Sequence, residues 1–139
     1  SLLYVVYELS SEVSVYYQGQ CIQKISTLPA GYEGGNTCSA IKTSKNGRFV
    51  YAANRGHDSI AVFIADKSTG TLELQQIIAT AGRNPRDFSL DPSGQWLIVA
   101  NQDSHLLTVF AVDIETGLLT KTEETAKLSM PVCICFGNE

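Results

Sequence analysis

Apolar and polar positions alternate along most of the chain in runs of five to nine residues, and polar or glycine-containing turns separate the runs. Such a period-two pattern, rich in β-branched and aromatic residues, predicts strands. The spans are 2–7, 13–17, 21–28, 38–43, 48–54, 59–65, 71–79, 86–90, 95–101, 106–112, 118–126 and 131–136. No window carries a helical period; 72–78 alternates instead. Asn46-Gly47, Asp66 to Gly70, Ser93-Gly94 and Asp113 to Gly117 supply the turns, and 29–36 reads as a longer loop.

The pattern repeats. Gly47 and Gly94, Asn54 and Asn101, and Phe63 and Phe110 are each separated by 47 positions, and a weaker copy relates Tyr4 to Tyr51 and Val15 to Val62. Strand-rich units with a period of 40–50 residues are the signature of propeller blades. We therefore expect an all-β chain with about three blades' worth of four-stranded antiparallel sheet. The expected units are an incomplete blade over 1–37, blades over 38–83 and 84–130, and a closing strand over 131–139.

Composition narrows the classes of partner. The 139 residues are 44% hydrophobic and 17% charged, with a net charge of −4. No basic stripe marks a nucleic-acid surface, and no apolar run reaches the roughly 20 residues of a membrane helix. Residues 1–6 lack a basic flank and a small-residue cleavage site, so they do not read as a signal peptide. Ser1 falls almost directly on a strand, as in a chain cut from a longer one. Cys21, Cys38, Cys133 and Cys135 form no Cys-x-x-Cys pair and, with only two histidines, no common zinc pattern. They read as buried free thiols, which suits a cytoplasmic setting. Phosphate-loop, nucleophile-elbow and zincin motifs are absent from the sequence. Tyr51, Phe63, Trp96 and Phe110 follow strand alternation and read as core, while Asn54 and Asn101 read as caps of equivalent strand ends.

Longer stretches carry a more specific signal. Asn54 to Phe63 (Asn-Arg-Gly-His-Asp-Ser-Ile-Ala-Val-Phe), Asn84 to Phe88, Leu90 to Gly94 and Val99 to Ser104 closely resemble the lactonase family of seven-bladed β-propellers. That family includes propeller-type 6-phosphogluconolactonases and a branch of carboxymuconate cyclases. Pro131-Val132-Cys133 resembles its final strand, so the resemblance covers nearly all of this chain and the C-terminal part of the family. It implies that the first strand of each blade lines a central channel. It also implies hydrolysis of a sugar lactone, most simply 6-phosphogluconolactone, without metal or cofactor.

Within that frame the residues at positions 8, 55 and 102, equivalent under the repeat, are Glu8, Arg55 and Gln102. Each follows a second strand, so all three are expected on one rim. A carboxylate beside a guanidinium can orient a water and hold an anion. Glu8 is the candidate acid/base and Arg55 the anion clamp, both matching residues implicated in the family's substrate cleft. Arg86, Asp87 and His57 are candidates for substrate binding: Arg86 for a phosphate, Asp87 for sugar hydroxyls. One departure weighs against catalysis. Family members often carry Glu and His where this chain has Ser39-Ala40-Ile41-Lys42, so two channel positions are altered. A non-catalytic interaction scaffold and a muconate-type lactonising enzyme therefore stay open. The expected partners are a small lactone and either further blades of a longer chain or a second copy meeting the open blade faces; nucleic acid and membrane are not expected.

Overall fold

The computed structural model describes residues 1–137. Eleven strands form three antiparallel sheets that stack side by side. The first contains β1 (Leu2–Tyr7), β2 (Glu12–Tyr17) and β3 (Gln20–Ser26), in that order. The second contains β4 (Thr37–Thr43), β5 (Phe49–Arg55), β6 (Ser59–Ala65) and β7 (Leu72–Ala79). The third contains β8 (Pro85–Leu90), β9 (Trp96–Asn101), β10 (Leu106–Val112) and β11 (Leu119–Lys127). Among the described residues there is no α-helix; a single 3-10 turn spans Gln102–Ser104.

The middle sheet explains the long apolar runs. Six consecutive residues of β5, from Phe49 to Asn54, are buried, because both faces of the strand meet a neighbouring sheet. Phe49, Tyr51 and Ala53 pack with Phe88, Leu97, Val99, Phe110 and Leu119 of the third sheet. Val50 and Ala52 point the other way, against Val13 and Val15 of the first. Polar bonds at each junction repeat with the sequence. The Tyr4 hydroxyl donates to the Gly70 carbonyl and the Tyr51 hydroxyl to the Gly117 carbonyl, both at 2.9 Å. The Gln23 amide pairs with both backbone groups of Leu72, at 2.8 and 2.7 Å, and the Gln76 amide does the same with Leu119 at 2.9 Å.

Ser11, Asp58 and His105, 47 residues apart, adopt left-handed backbone conformations with φ of 54°, 53° and 52°. Their carbonyls accept the amides of Thr27, Thr80 and Leu128. These bonds tie the connection leaving each sheet to that sheet's own middle hairpin. Hence the β1–β2, β5–β6 and β9–β10 loops share one rim with the inter-sheet connections.

Three sequence expectations need correction. The strand expected within 131–139 joins no ladder over residues 131–137, where the Ile134 amide bonds to the Asp87 side chain instead of a neighbouring backbone, and 138–139 lie outside the described residues. Trp96 is not core, being 43% exposed on the outer face of the third sheet, where no fourth sheet covers it as Phe49 is covered. All four cysteines are free, yet only Cys38 is buried. Cys21 lies on an outermost strand, and Cys133 and Cys135 lie in the unpaired terminal segment.

Candidate active site

Glu8 and Arg55 meet across the first two sheets. Glu8 follows β1 and Arg55 ends β5, so the packing of one sheet against the next brings residues 47 positions apart into contact. The Arg55 guanidinium donates through Nη2 to Glu8 Oε1 at 2.7 Å and to the Cys38 carbonyl at 3.2 Å. The Cys38 amide in turn donates to the Glu8 carbonyl at 2.9 Å. One residue at the start of β4 thus fixes both halves of the pair through its backbone.

The two side chains are unequally exposed, Arg55 at 18% and Glu8 at 62%. A pair this open contributes only about 0–1 kcal/mol to stability. What it provides is a carboxylate and a cation held together at the surface. Arg55 Nε is buried without a partner among the described residues.

A polar network lies beneath the pair. Asn54, fully buried, donates from Nδ2 to the Thr27 carbonyl at 2.8 Å and to Ser59 Oγ at 3.1 Å. Its Oδ1 accepts from Thr27 Oγ1 at 2.7 Å, from Asn36 Nδ2 at 3.1 Å and from the Cys38 thiol at 3.5 Å. Burial pushes the Cys38 thiol above its ordinary pKa, which keeps it protonated and unreactive. Far from merely capping a strand end, Asn54 pins three segments under the site.

His57 sits half-buried in the loop after Arg55. Its Nδ1 is 2.8 Å from Ser59 Oγ, its amide donates to Asn36 Oδ1 at 3.1 Å, and its ring meets that of Tyr32 edge-on at 4.8 Å. Asp58 is a turn residue: its Oδ1 accepts the amides of Gly56 and Asn84. Gln102, the third rim position, is engaged by Asn84, which donates from Nδ2 to its Oε1 at 3.3 Å.

Arg86 and Asp87 lie on β8, the innermost strand of the third sheet. Both innermost strands carry a bulge at equivalent places, between Cys38 and Ile41 in β4 and between Pro85 and Asp87 in β8. Bulges re-aim side chains: Arg86 is exposed there and has no ion pair among the described residues, whereas Asp87 is buried. The Asp87 carboxylate lies 4.0 Å from Lys42 Nζ and accepts the Ile134 amide at 2.9 Å. A hydrogen bond to that carboxylate raises the Cys133 thiol pKa. Asp87 therefore holds the 131–136 segment against β8. The packing also joins the strands directly, with Ser39 Oγ donating to the Pro85 carbonyl at 2.7 Å.

The structure adds residues that sequence reasoning missed: Cys38 through its backbone, and Asn36, Ser59 and Tyr32 around His57. A signal for Asn36 and Ser59 existed in the repeat, which replaces them with Arg83 and Leu106 one unit later. A cleft of about 340 Å³, lined by Phe49, Tyr51, Leu90, Val112 and Ile114, opens on the opposite rim. Its lining holds no acid–base pair, so it does not compete with the Glu8–Arg55 rim as the site.

Comparison with known proteins agrees with the all-β, sheet-stacked fold. A family model described as "Lactonase, 7-bladed beta-propeller" matches residues 1–136. A 6-phosphogluconolactonase of Bacillus subtilis is 40% identical, over 96% of this chain and 40% of its own length. The periplasmic gluconolactonase PpgL of Pseudomonas aeruginosa superposes with a TM-score of 0.88 at 33% identity, over 94% of this chain and 38% of that one. A Lactobacillus plantarum protein of known structure gives a TM-score of 0.90, also at 33% identity, over 95% and 40%. The chain thus spans about two fifths of the length of these relatives. With nearly every residue matched, it belongs to the lactonase family of seven-bladed β-propellers.

Proposed function

We propose that this chain carries part of the active site of a sugar-lactone hydrolase, with 6-phosphogluconolactone as the simplest substrate and the 6-phosphogluconate as product. The observation that carries this reading is the Glu8–Arg55 pair, held at 2.7 Å on an accessible rim. Names of the Bacillus and Pseudomonas relatives support lactone as the substrate class.

Glu8 uses one carboxylate oxygen on Arg55, leaving the other to take a proton from a water. That water attacks the lactone carbonyl carbon, and the carbonyl oxygen becomes an anion stabilised by the guanidinium. Collapse of this intermediate breaks the ring C–O bond, and the leaving alkoxide recovers the proton from Glu8. Arg86, exposed on its bulge, would attract a substrate phosphate, and the four free thiols support a cytoplasmic setting.

The test is lactone hydrolysis above the spontaneous rate. Glu8→Gln and Arg55→Ala should each lower kcat/KM on the order of 100-fold, in line with the loss of a general base or a charged transition-state donor. Unchanged rates in both variants would remove the pair from the mechanism. Ala40 and Lys42, at channel positions where the family often carries Glu and His, favour a second reading as a non-catalytic scaffold. Absence of lactone turnover in a protein carrying this chain at the full length of its relatives would favour it.

A further inference from the structure

We propose that Ser59 is a positioning residue that fixes the His57 ring with its proton on Nε2, so that the ring serves as a hydrogen-bond donor rather than a base. The direction of each proton follows from one backbone group. The Thr27 carbonyl can only accept, and Asn54 Nδ2 lies 2.8 Å from it, which decides the orientation of the Asn54 amide. Its second Nδ2 hydrogen goes to Ser59 Oγ at 3.1 Å. Ser59 Oγ could accept a second bond, but the side chain is fully buried and, among the described residues, its proton has no acceptor other than His57 Nδ1, 2.8 Å away. An imidazole whose Nδ1 accepts carries its proton on Nε2.

The ring is held from its other side as well. The His57 amide can only donate, so Asn36 turns its Oδ1 toward it at 3.1 Å and its Nδ2 toward Asn54 Oδ1, also at 3.1 Å. Asn54, Ser59, His57 and Asn36 thereby form a closed circuit in which no amide can flip without breaking two bonds.

The repeat separates this circuit from the scaffold. Positions 57 and 59 correspond to Ser10 and Glu12 in the first unit and to Ser104 and Leu106 in the third. The framework asparagine does recur, as Asn101, but it donates to Thr108 and leaves its own buried Oδ1 without a partner among the described residues. The Ser–His extension therefore belongs to the sheet that bears Arg55. Its use on a substrate rests on the lactonase reading: the Nε2 proton would go to the lactone carbonyl or a sugar hydroxyl, and Glu8 would keep the role of base.

Nitrogen-15 NMR of the labelled chain reports the tautomer of both histidines. His105 is the internal reference, because its Nδ1 accepts the Met130 amide at 3.2 Å, a donor that cannot reverse. Both rings should show the Nε2–H pattern, and Ser59→Ala should convert only His57 to a mixture. A His57 proton on Nδ1 in the unmodified chain would overturn the proposal, as would a spectrum unchanged by Ser59→Ala. Should that variant not fold, the unmodified spectrum decides alone. In the hydrolysis assay, His57→Leu should lower kcat/KM on the order of 100-fold, the cost of one oxyanion donor, and His57→Gln should recover part of that loss. No turnover by a protein carrying this chain at the full length of its relatives would sink the lactonase reading and leave the tautomer standing; a wrong tautomer would do the reverse.

Discussion

Replacing Gly117 with alanine separates the energetics of a turn from those of the junction between sheets. Gly117 closes the turn between β10 and β11 at φ +74°, and a methyl group added there would lie 2.5 Å from Cδ1 of Phe49 in the neighbouring sheet. Two costs add. An alanine in the left-handed region costs about 1–2 kcal/mol, and forcing a methyl against a fully packed ring costs about 1–3 kcal/mol more. Phe49 is 1% exposed and packed in the core between the second and third sheets, so any shift it makes must be into the cleft it borders. Gly94 provides the control, with φ +75° and nothing within 4 Å of the added carbon, so Gly94→Ala should cost only the first about 1–2 kcal/mol. Gly70→Ala should fall between them, because the side chain it meets is Leu2, which is exposed and free to move. Urea unfolding followed by circular dichroism gives the three values. A Gly117→Ala variant within about 0.5 kcal/mol of Gly94→Ala, well below the smallest overpacking cost, would refute the claim that this glycine is required by the facing ring.

Other perturbations probe the same structure. Tyr51 is buried and its pKa is pushed up to about 12. Its neutral form therefore stabilises the fold fully below pH 10 and progressively less from there to about 12; Tyr51→Phe should remove that part of the alkaline loss. The same variant strands the Gly117 carbonyl, at about 1–3 kcal/mol at neutral pH, and unaltered neutral stability would contradict the bond. In the turns, the Ser68 hydroxyl holds the Asp66 carboxyl below the usual carboxylate range and the Glu115 amide does so for Asp113. Their contribution is complete above the ordinary carboxylate pKa and disappears as pH falls through the lowered values, so Asp66→Asn with Asp113→Asn should flatten the acid limb of a stability–pH curve. We further propose that the isolated 139-residue chain self-associates through its outer faces, where Leu3 is 58% and Trp96 43% exposed. Light scattering at micromolar concentration should show assemblies that Trp96→Lys weakens, and a well-folded monomer would contradict this.

Much of the fold was legible because packing between sheets imposes the repeat on the sequence. Tyr4 and Tyr51 must reach carbonyls 66 positions ahead, and the turn glycines must clear the side chains opposite. Those demands keep residue types at constant spacing, and spacing can be read without coordinates. Strand identity at 131–136 was not legible in this way. Alternation reports what a segment could pair with, whereas a ladder needs a neighbour, and here the segment is held by the Asp87 side chain instead. Trp96 misled for a related reason: its alternation is that of Phe49, but the sheet that would bury it is not there. The residues around His57 were harder to read: Asn36 and Ser59 break the repeat, as Arg83 and Leu106 do one unit later, but a broken repeat does not say what the residue touches, and Tyr32 lies in a loop outside the repeated strands.

The Glu8–Arg55 pair follows from a different property of the repeat, namely its failure. Had one residue type stood at positions 8, 55 and 102, neighbouring sheets would present identical side chains to each other, and like charges at contact distance repel. An ion pair between adjacent units therefore requires the sequence to differ just where the backbone is the same. The framework around the pair stays regular: left-handed residues at 11, 58 and 105, asparagines at 54 and 101, and bulges in both innermost strands. Against that constant background, Glu, Arg and Gln at one position, and Ser, His and Ser two positions later, mark the places where packing has stopped dictating the residue. Exchanging the pair as Glu8→Arg with Arg55→Glu tests whether position or merely proximity matters. The double variant should recover part of the stability lost in the single ones, since an ion pair re-forms, yet recover no lactone turnover, because the Cys38 carbonyl accepts from a guanidinium at 55 and cannot pair with a carboxylate there. Recovery of turnover would show that any acid–cation pair on this rim suffices.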